Sequence, residues 1–250
     1  MARDVTGEDA RRQARIGLAL AFAIGGAWLS LHVYAVFGHR LALGRAHLAP
    51  LLVVALCWLN VGLFIVAHDC MHGSLAPGQP RVNRAVGRVA LALYAAFSFD
   101  RLAPQHFLHH RHSGTARDPD YSPHEAARFW PWFAGFVRRY FGWREFGVLT
   151  VLLLGYVLVL GAAPANVLLF WGVPAILSAL QLFYFGTYLP HRPGAEPFAD
   201  EHRARSNDYP WGLSLFTCFH FGYHGEHHRA PHVPWWRLPA LRRAPAAVRR

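Results

Sequence analysis

Residues 49–72 read APLLVVALCWLNVGLFIVAHDCMH, an apolar run that leads directly into two histidines four positions apart. The 19 residues from Ala49 to Ala67 contain no Lys, Arg, Asp or Glu. As a helix, at about 1.5 Å per residue, such a run is long enough to cross a hydrocarbon core of about 30 Å. If the helix continues beyond the membrane, His68 and His72 project from adjacent turns of one face. The stretch therefore predicts a transmembrane helix with a pair of metal-ligand side chains at its end.

Further uncharged runs predict an all-α integral membrane protein with four transmembrane helices in two hairpins. Only 16% of the residues are charged, against about 25% in soluble domains. The run 147–189 would be about 64 Å long as a single helix, twice the core. We therefore expect a turn near Gly161–Asn166. The predicted spans are about 16–37, 49–67, 147–163 and 165–189.

Two shorter segments are predicted to lie at the membrane surface. The apolar run 89–99 has only 11 residues, too few to span, and is expected to be re-entrant or interfacial. Residues 129–146 mix aromatic residues with arginine, which indicates an amphipathic segment at the headgroup level. We expect a single domain over residues 1–250, with a flexible tail from about 240.

The arginines set the expected orientation. The net charge is +11, and all 25 basic residues are arginine. With four spans, 23 of these arginines fall on the side that holds both termini and the long segments 68–146 and 190–250. The positive-inside rule makes that side cytoplasmic. The arginines form no dedicated stripe or tail and no nucleic-acid motif occurs, so we expect no nucleic-acid partner.

Two more histidine clusters lie on this cytoplasmic side. They are His106-Phe-Leu-His109-His110 and His224-Gly-Glu-His227-His228, and the spacing places each cluster on one helix face. Eight histidines are too many for one ion, so the pattern predicts two metals in a cytoplasmic helical cap over the bundle. His191, where the fourth span leaves the membrane, is a candidate ninth ligand. The candidate ligands are His68, His72, His106, His109, His110, His191, His224, His227 and His228.

The number of histidines favours iron. Imidazole suits Zn, Cu, Fe and Ni, but catalytic zinc uses about three protein ligands and often a carboxylate. Four or five histidines per ion suit two non-haem irons with positions open to dioxygen. Ligating histidines usually donate their other N–H to a carboxylate or carbonyl. The carboxylates expected to act in this way are Asp69, Asp118, Asp120 and Glu226.

For some of these residues a purely structural role is an equal or better interpretation. Asp118 and Asp120 flank Pro119, and turn formation explains them equally well. His112 and His220 lie next to the clusters and are ambiguous: a purely structural role is the more common one for such residues, and a role in the site would be to support ligands rather than to bind metal.

Four stretches of this sequence resemble the bacterial β-carotene ketolase family, within the membrane di-iron superfamily of desaturases and hydroxylases. They are 68–78 (HDCMHGSLAPG), 105–115 (QHFLHHRHSGT), 219–228 (FHFGYHGEHH) and 234–239 (PWWRLP). The similarity extends from about His68 to Pro239. Cys70 departs from an expected alanine, and Phe107 and Gly225 stand where relatives often have further histidines. These departures leave the ligand spacing intact.

The resemblance implies oxidation of the allylic ring methylene of β-carotene to a ketone, through two hydroxylations at one carbon and loss of water. It implies dioxygen, external electrons and the eight cluster histidines as ligands, with His191 matching an additional histidine of related enzymes. No nicotinamide or flavin fingerprint occurs, so reduced ferredoxin is the expected donor, docking on the basic cytoplasmic face. The carotenoid would come from the bilayer, which we expect to be the bacterial inner membrane. Residues expected to line its channel are Tyr94, Phe97, Phe99, Phe183, Tyr184 and Phe185.

Two other interpretations remain open at this point. The nearer one is a membrane di-iron fatty-acid desaturase, or a hydroxylase that acts on acyl chains or carotenoid rings. The more distant one is a membrane protein that binds haem or metal without catalysis. A bis-histidine haem requires axial histidines within facing spans, and only His32 lies well inside a predicted span.

Overall fold

The computed structural model describes residues 7–41, 45–194 and 196–244, and within these ranges the regular structure is helical and contains no strand. The α-helices are α1 (Gly7–Val33), α2 (Ala49–His72), α3 (Pro80–Ala95), α4 (Phe99–His112), α5 (Phe129–Tyr140), α6 (Trp143–Leu154), α7 (Pro164–Val167), α8 (Val173–Phe183), α9 (Leu189–His191), α10 (Trp211–Cys218), α11 (His224–Arg229) and α12 (Leu238–Arg243). π-Helical turns occupy Tyr34–Gly38, Gly155–Val159, Leu168–Gly172 and Tyr184–Tyr188, and 3₁₀ turns occupy Ala46–Leu48 and Trp235–Arg237.

Within the described ranges, three continuous helical segments are long and apolar enough to cross a membrane: 7–38, 46–72 and 164–191. They cover three of the four predicted spans. The remaining predicted span, 147–163, corresponds to α6 and the π-helical turn after it. That helix reaches the required length only together with α5, and the two are bent by 78°. The structure therefore has three straight candidates and one bent pair.

The predicted turn in the long uncharged run lies between Val159 and Pro164. Gly161 has a φ of 69° there, a left-handed conformation that glycine adopts without steric cost. Pro164 then starts the next helix, where its missing N–H leaves no intrahelical hydrogen bond unmade.

Helix α2 is the central element of the fold. Among the three straight candidates its apolar window is the most buried, at 61% against 22% and 33%. It packs on α1, α3 and α8, and polar contacts fix two of the surrounding helices. Trp28 Nε1 donates to Asn60 Oδ1 at 2.6 Å between α1 and α2, and Asn166 Nδ2 donates to the carbonyl of His39 at 2.8 Å. The first contact joins α1 to the middle of α2, and the second joins α7 to the end of the segment that contains α1. The C-terminal end of α2 carries the first histidine pair.

Shorter helices cover that end of α2. The segment 89–99, predicted to be re-entrant or interfacial, forms the end of α3 and the connection to α4. The predicted surface segment 129–146 forms α5 and the start of α6. The predicted flexible tail from about 240 differs in part from the structure. Residues through Arg243 form α12, which is held because Arg242 Nη1 donates to Glu226 Oε1 at 2.8 Å. The rest of that tail, residues 245–250, lies outside the described residues.

Candidate metal centre

Three helix segments bring the histidine clusters together. His68 and His72 end α2, where Gly73 terminates the helix with a φ of 70°. The second cluster forms the last two turns of α4, and the third forms almost all of α11. His191 ends the long helical segment 164–191. All nine candidate ligands therefore lie at helix ends on one side of the bundle.

The nine histidines form two groups. Within each group, one ring nitrogen from every member lies within 4.8 Å of the others. The first group, which we call the α2 group, is His68, His72, His106, His110 and His227. The second, which we call the α11 group, is His109, His191, His224 and His228.

Imidazole nitrogens approach one another closely in both groups. In the α2 group, the Nε2 atoms of His72 and His106 are 2.7 Å apart. In the α11 group, the Nε2 atom of His224 lies 3.0 Å from that of His191 and 3.0 Å from that of His228. The groups are adjacent, since the rings of His110 and His228 stack with their centroids 4.2 Å apart.

This arrangement fits bound cations better than a network of hydrogen bonds. A neutral imidazole offers one N–H and one lone pair, yet His68 is buried with no partner for either ring nitrogen. At a metal–nitrogen bond of about 2.1 Å, ligands at right angles are about 3.0 Å apart and opposite ligands about 4.2 Å apart. The observed contacts between Nε2 atoms, 2.7–3.1 Å, are close to the separation of ligands at right angles. The donor set of each group therefore fits one metal ion.

The protonation states favour the same interpretation. Burial, together with the charge that neighbouring histidines would carry, lowers the pKa of His106, His224 and His227 well below the usual value. These rings are therefore neutral near pH 7 and keep a lone pair for a metal. Histidines packed this densely would repel one another if protonated, so their mutual charge also favours the neutral, metal-binding form.

Two members of the α11 group are oriented by contacts to their other nitrogen. His109 Nδ1 donates to Asp118 at 2.9 Å, and His191 Nδ1 donates to the carbonyl of Arg203 at 2.8 Å. Burial alone would lower the pKa of His109, but the hydrogen bond to Asp118 and the charges of Asp120 and Asp118 raise it overall. Such contacts fix the tautomer and direct Nε2 towards the metal.

The four candidate carboxylates differ in what they contact. Asp118 bonds His109 as expected. Asp120 lies close, with Oδ2 3.8 Å from His109 Nδ1, and accepts a hydrogen bond from the Tyr140 hydroxyl. Burial raises the pKa of Asp120, and the charge of Asp118 adds to this rise.

Asp69 and Glu226 have hydrogen-bond partners other than a histidine N–H. Asp69 is 3.7 Å from His68 Nδ1 and instead accepts the backbone N–H of Trp235 at 3.1 Å. Glu226 accepts hydrogen bonds from Ser206 and Arg242. Both carboxylates directly precede or follow a histidine in a helix, and adjacent residues point in different directions.

The two histidines next to the clusters contact neither group directly. His112 lies outside both groups. His220 is buried among aromatic rings, parallel to that of Tyr223 and 5.3 Å from that of Trp211. Sequence reasoning missed two groups within hydrogen-bond distance of His191 Nδ1, the Arg203 carbonyl and the Ser113 hydroxyl, because no local spacing connects them with the histidines.

An apolar cavity of about 540 Å³ ends on both histidine groups. Its histidine wall is His68 and His106 from the α2 group and His109 and His224 from the α11 group. Three of the predicted liners, Tyr94, Phe97 and Phe183, line it. Aromatic side chains of the 129–146 segment complete this end: Phe133, Phe136, Tyr140 and Phe141.

The other predicted liners, Phe99, Tyr184 and Phe185, do not line the cavity. Phe99 packs against Gly87, where an added Cβ would meet its ring at 2.2 Å. Successive helical residues are about 100° apart, so when Phe183 faces the cavity the next two residues face elsewhere. Tyr184 contacts the ring of Phe129, and Phe185 that of Tyr209.

Comparison with known proteins agrees with this geometry. The model of the fatty acid desaturase family matches residues 43–151 and 137–249. A β-carotene ketolase of Paracoccus sp. (strain PC1) is 51% identical over 231 residues, covering 91% of this chain and 93% of the relative. The chain belongs to the β-carotene ketolase branch of the fatty acid desaturase family. The resemblance inferred from the four motif stretches is thus confirmed.

More distant members of the β-carotene ketolase branch also align along most of the chain. A β-carotene 4-ketolase of Haematococcus lacustris is 36% identical, covering 91% of this chain and 79% of the relative. A zeaxanthin 4-ketolase of Chlamydomonas reinhardtii is 38% identical, covering 90% of this chain and 53% of the relative. Membership in this branch supports the predicted enzyme class over a membrane protein that only binds haem or metal. Together with the apolar helices, it identifies a membrane protein.

Proposed function

We propose that the protein is a carotenoid ketolase, which oxidises the allylic ring methylene of a β-carotene-type ring to a ketone. The observation that carries the proposal is the apolar cavity that ends on both histidine groups. Such a cavity suits a long hydrocarbon that must bring only one ring to a metal centre. The names of the relatives specify the ring reaction.

We propose the nine histidines of the α2 and α11 groups as ligands of two iron ions. When bound, the irons supply activation of dioxygen and oxidation of the ring C–H bond. Each of two hydroxylations at one carbon consumes one dioxygen, two electrons and two protons and releases one water. The resulting geminal diol then loses water to give the ketone.

The chain itself orients the substrate and excludes water. Phe136 and Phe183 close the apolar wall near the histidines, so the ring meets the centre with little competing water. The outer wall includes Ile176 of α8, whose side chain is 63% exposed on the apolar exterior. This position offers a route for a carotenoid from the bilayer. Asp118 and the Arg203 carbonyl keep His109 and His191 in the orientation that binding requires.

The electrons would come from a separate ferredoxin-type protein. The sequence contains no nicotinamide or flavin fingerprint, and its net charge of +11 favours an acidic partner. We propose that the histidine side of the bundle and both termini face the cytoplasm at the bacterial inner membrane. The support is the distribution of arginine, with 23 of 25 on that side of a four-span arrangement.

Expression in a β-carotene-producing bacterium tests the proposal. A ketone at the ring, detected by mass and by the shift in absorbance, is the expected product. Unchanged pigment would refute it, and a ring hydroxyl without a ketone would favour a hydroxylase. Unsaturation introduced into acyl chains would favour a desaturase.

A pair of histidine variants tests the proposed ligands. His109→Ala should abolish activity and lower the iron content of the purified, membrane-inserted protein. His124→Ala is the matched control, because His124 is exposed and belongs to neither group. Full activity and iron content in His109→Ala would remove that residue from the ligand set.

A further inference from the structure

Asp120 and Asp118 lie two residues apart but face different surroundings. The Asp118 side chain is 1% exposed and contacts only protein, whereas the Asp120 side chain is 14% exposed and lines the apolar cavity. Apart from histidines, the polar residues on the cavity wall are few: Asp120, Tyr140, Tyr94 and Thr187. A carboxyl group in an apolar wall is costly unless it is hydrogen-bonded, and only one oxygen of the Asp120 carboxyl receives a hydrogen bond among the described residues.

The Asp120 carboxyl is held in a fixed orientation. Its backbone N–H donates to Asp118 Oδ1 at 2.8 Å, and its backbone carbonyl accepts from Trp132 Nε1 at 2.8 Å. The Tyr140 hydroxyl donates to Oδ1. Oδ2 lies 3.8 Å from His109 Nδ1, beyond hydrogen-bond distance, and remains able to accept a hydrogen bond from a molecule in the cavity.

The proposed reaction creates a molecule with a suitable donor. After the first hydroxylation the ring carries an alcohol at the carbon that must react again. For a second hydroxylation, the same ring carbon must again lie next to the metal centre before the alcohol leaves the cavity. Asp120 lines the cavity beside His109, with Oδ2 3.8 Å from His109 Nδ1, so it is an acceptor near the centre that can hold the alcohol there.

We propose that Asp120, oriented by Tyr140, binds the hydroxyl group of the ring alcohol and so directs the second oxidation to the same carbon. The inference rests on the proposed function and deepens it. The alcohol, one dioxygen, two electrons and two protons give the geminal diol and one water, and the diol then loses a second water to leave the ketone. Asp120 changes no covalent bond in these steps and acts by binding the intermediate.

The proposal is tested by the ratio of alcohol to ketone formed in the β-carotene-producing host. Asp120→Leu, of similar size but without an acceptor, should raise this ratio about tenfold or more, as expected for a lost hydrogen bond to a charged group. Asp120→Asn keeps one carbonyl acceptor and should give an intermediate ratio. Tyr140→Phe should also raise it, because the carboxyl loses its fixed orientation. Asp100→Leu is the control: it makes the same change at an exposed carboxylate that does not line the cavity, so its ratio should match the original.

Binding to chelator-treated, metal-free protein provides a readout independent of catalysis. Quenching of tryptophan fluorescence by β-carotene and by its allylic ring alcohol gives the two affinities for each variant. Asp120→Leu should weaken alcohol binding about tenfold and leave β-carotene binding unchanged. An equal loss for both ligands would indicate a structural effect and overturn the proposal.

The two proposals fail in different ways. If the unaltered protein forms no oxidised carotenoid, the proposed function fails and this inference fails with it. If the unaltered protein forms ketone, and the Asp120 and Tyr140 variants form it at the same ratio to alcohol, only this inference fails.

Discussion

Replacing Asp118 by Asn should weaken one of the two proposed metal sites and spare the other. The Asp118 carboxylate accepts hydrogen bonds from His109 Nδ1 at 2.9 Å and from the backbone N–H groups of Gly114 and Asp120, each at 2.8 Å. Asparagine has nearly the same shape but only one accepting oxygen, and its amide nitrogen cannot accept from His109. The His109 ring therefore loses the contact that fixes its tautomer, or a buried backbone N–H loses its partner.

The size of the effect follows from where His109 lies. Loss of the group that supports a ligating histidine costs about 10- to 100-fold in metal affinity, or about 1.4–2.7 kcal/mol. Because His109 belongs to the α11 group and not to the α2 group, the loss should fall on one ion. A buried N–H left without a partner would cost a further 1–3 kcal/mol, roughly, of folding stability.

The assay is metal content by elemental analysis across a series of chelator concentrations. The unaltered protein should release its two ions at similar chelator concentrations, whereas Asp118→Asn should pass through a range with one ion per chain. Asp100→Asn is the matched control, an exposed carboxylate of α4 that pairs with Arg84 and Arg88. Simultaneous loss of both ions from Asp118→Asn, or a release curve like that of the control, would refute the reasoning.

Two further predictions concern the cavity and the helix that carries the third cluster. Ala179 lines the cavity on α8, so the larger side chain of Ala179→Phe should occupy part of the cavity. Carotenoid turnover should fall at least tenfold with metal content unchanged. Leu177→Phe, on an exposed face of α8, is the control, and equal turnover in both variants would contradict the assigned cavity. Arg242→Met should leave Glu226, which is 1% exposed, without its cation. The loss of a partner by a buried group should destabilise the protein by about 1–3 kcal/mol, measured as a lower thermal midpoint. Arg243→Met is its control, and equal midpoints would show that the ion pair contributes nothing.

The uncharged runs in the sequence were sufficient to locate the long helices. An apolar stretch of 19 residues such as Ala49–Ala67 has few alternatives to a spanning helix, and the structure has α2 there. The same criterion could not show the 78° bend between α5 and α6. Hydropathy reports the length and composition of a segment, whereas an angle depends on what its two ends pack against. Aromatic residues of α5 reach the cavity through that bend, which explains why sequence reasoning missed Phe136 as a liner.

The carboxylates show a second limit of local spacing. Glu226 lies between histidines of α11, but about 100° per residue separates adjacent helical side chains. It therefore points towards Arg242, on a helix that sequence reasoning assigned to a loose tail. Asp118 lies in a turn rather than a helix, and its distance from His109 is set by how the chain folds back after α4. Helical spacing could place the histidines relative to one another, but it could not place a turn residue relative to a helix.

The helical spacing of the histidines explains why the nine divide into groups of five and four. Residues four apart on a helix differ by about 40° in direction, and residues three apart by about 60° in the opposite sense. Each pair at i, i+4 stays within one group: 68 and 72, 106 and 110, and 224 and 228. His109 and His227 point to the other side of their own pairs, and each joins the opposite group. α4 and α11 therefore each contribute histidines to both groups, so that a rotation of either helix would disturb both proposed metal sites together. Only His191 comes from outside these clusters, and it completes the smaller group.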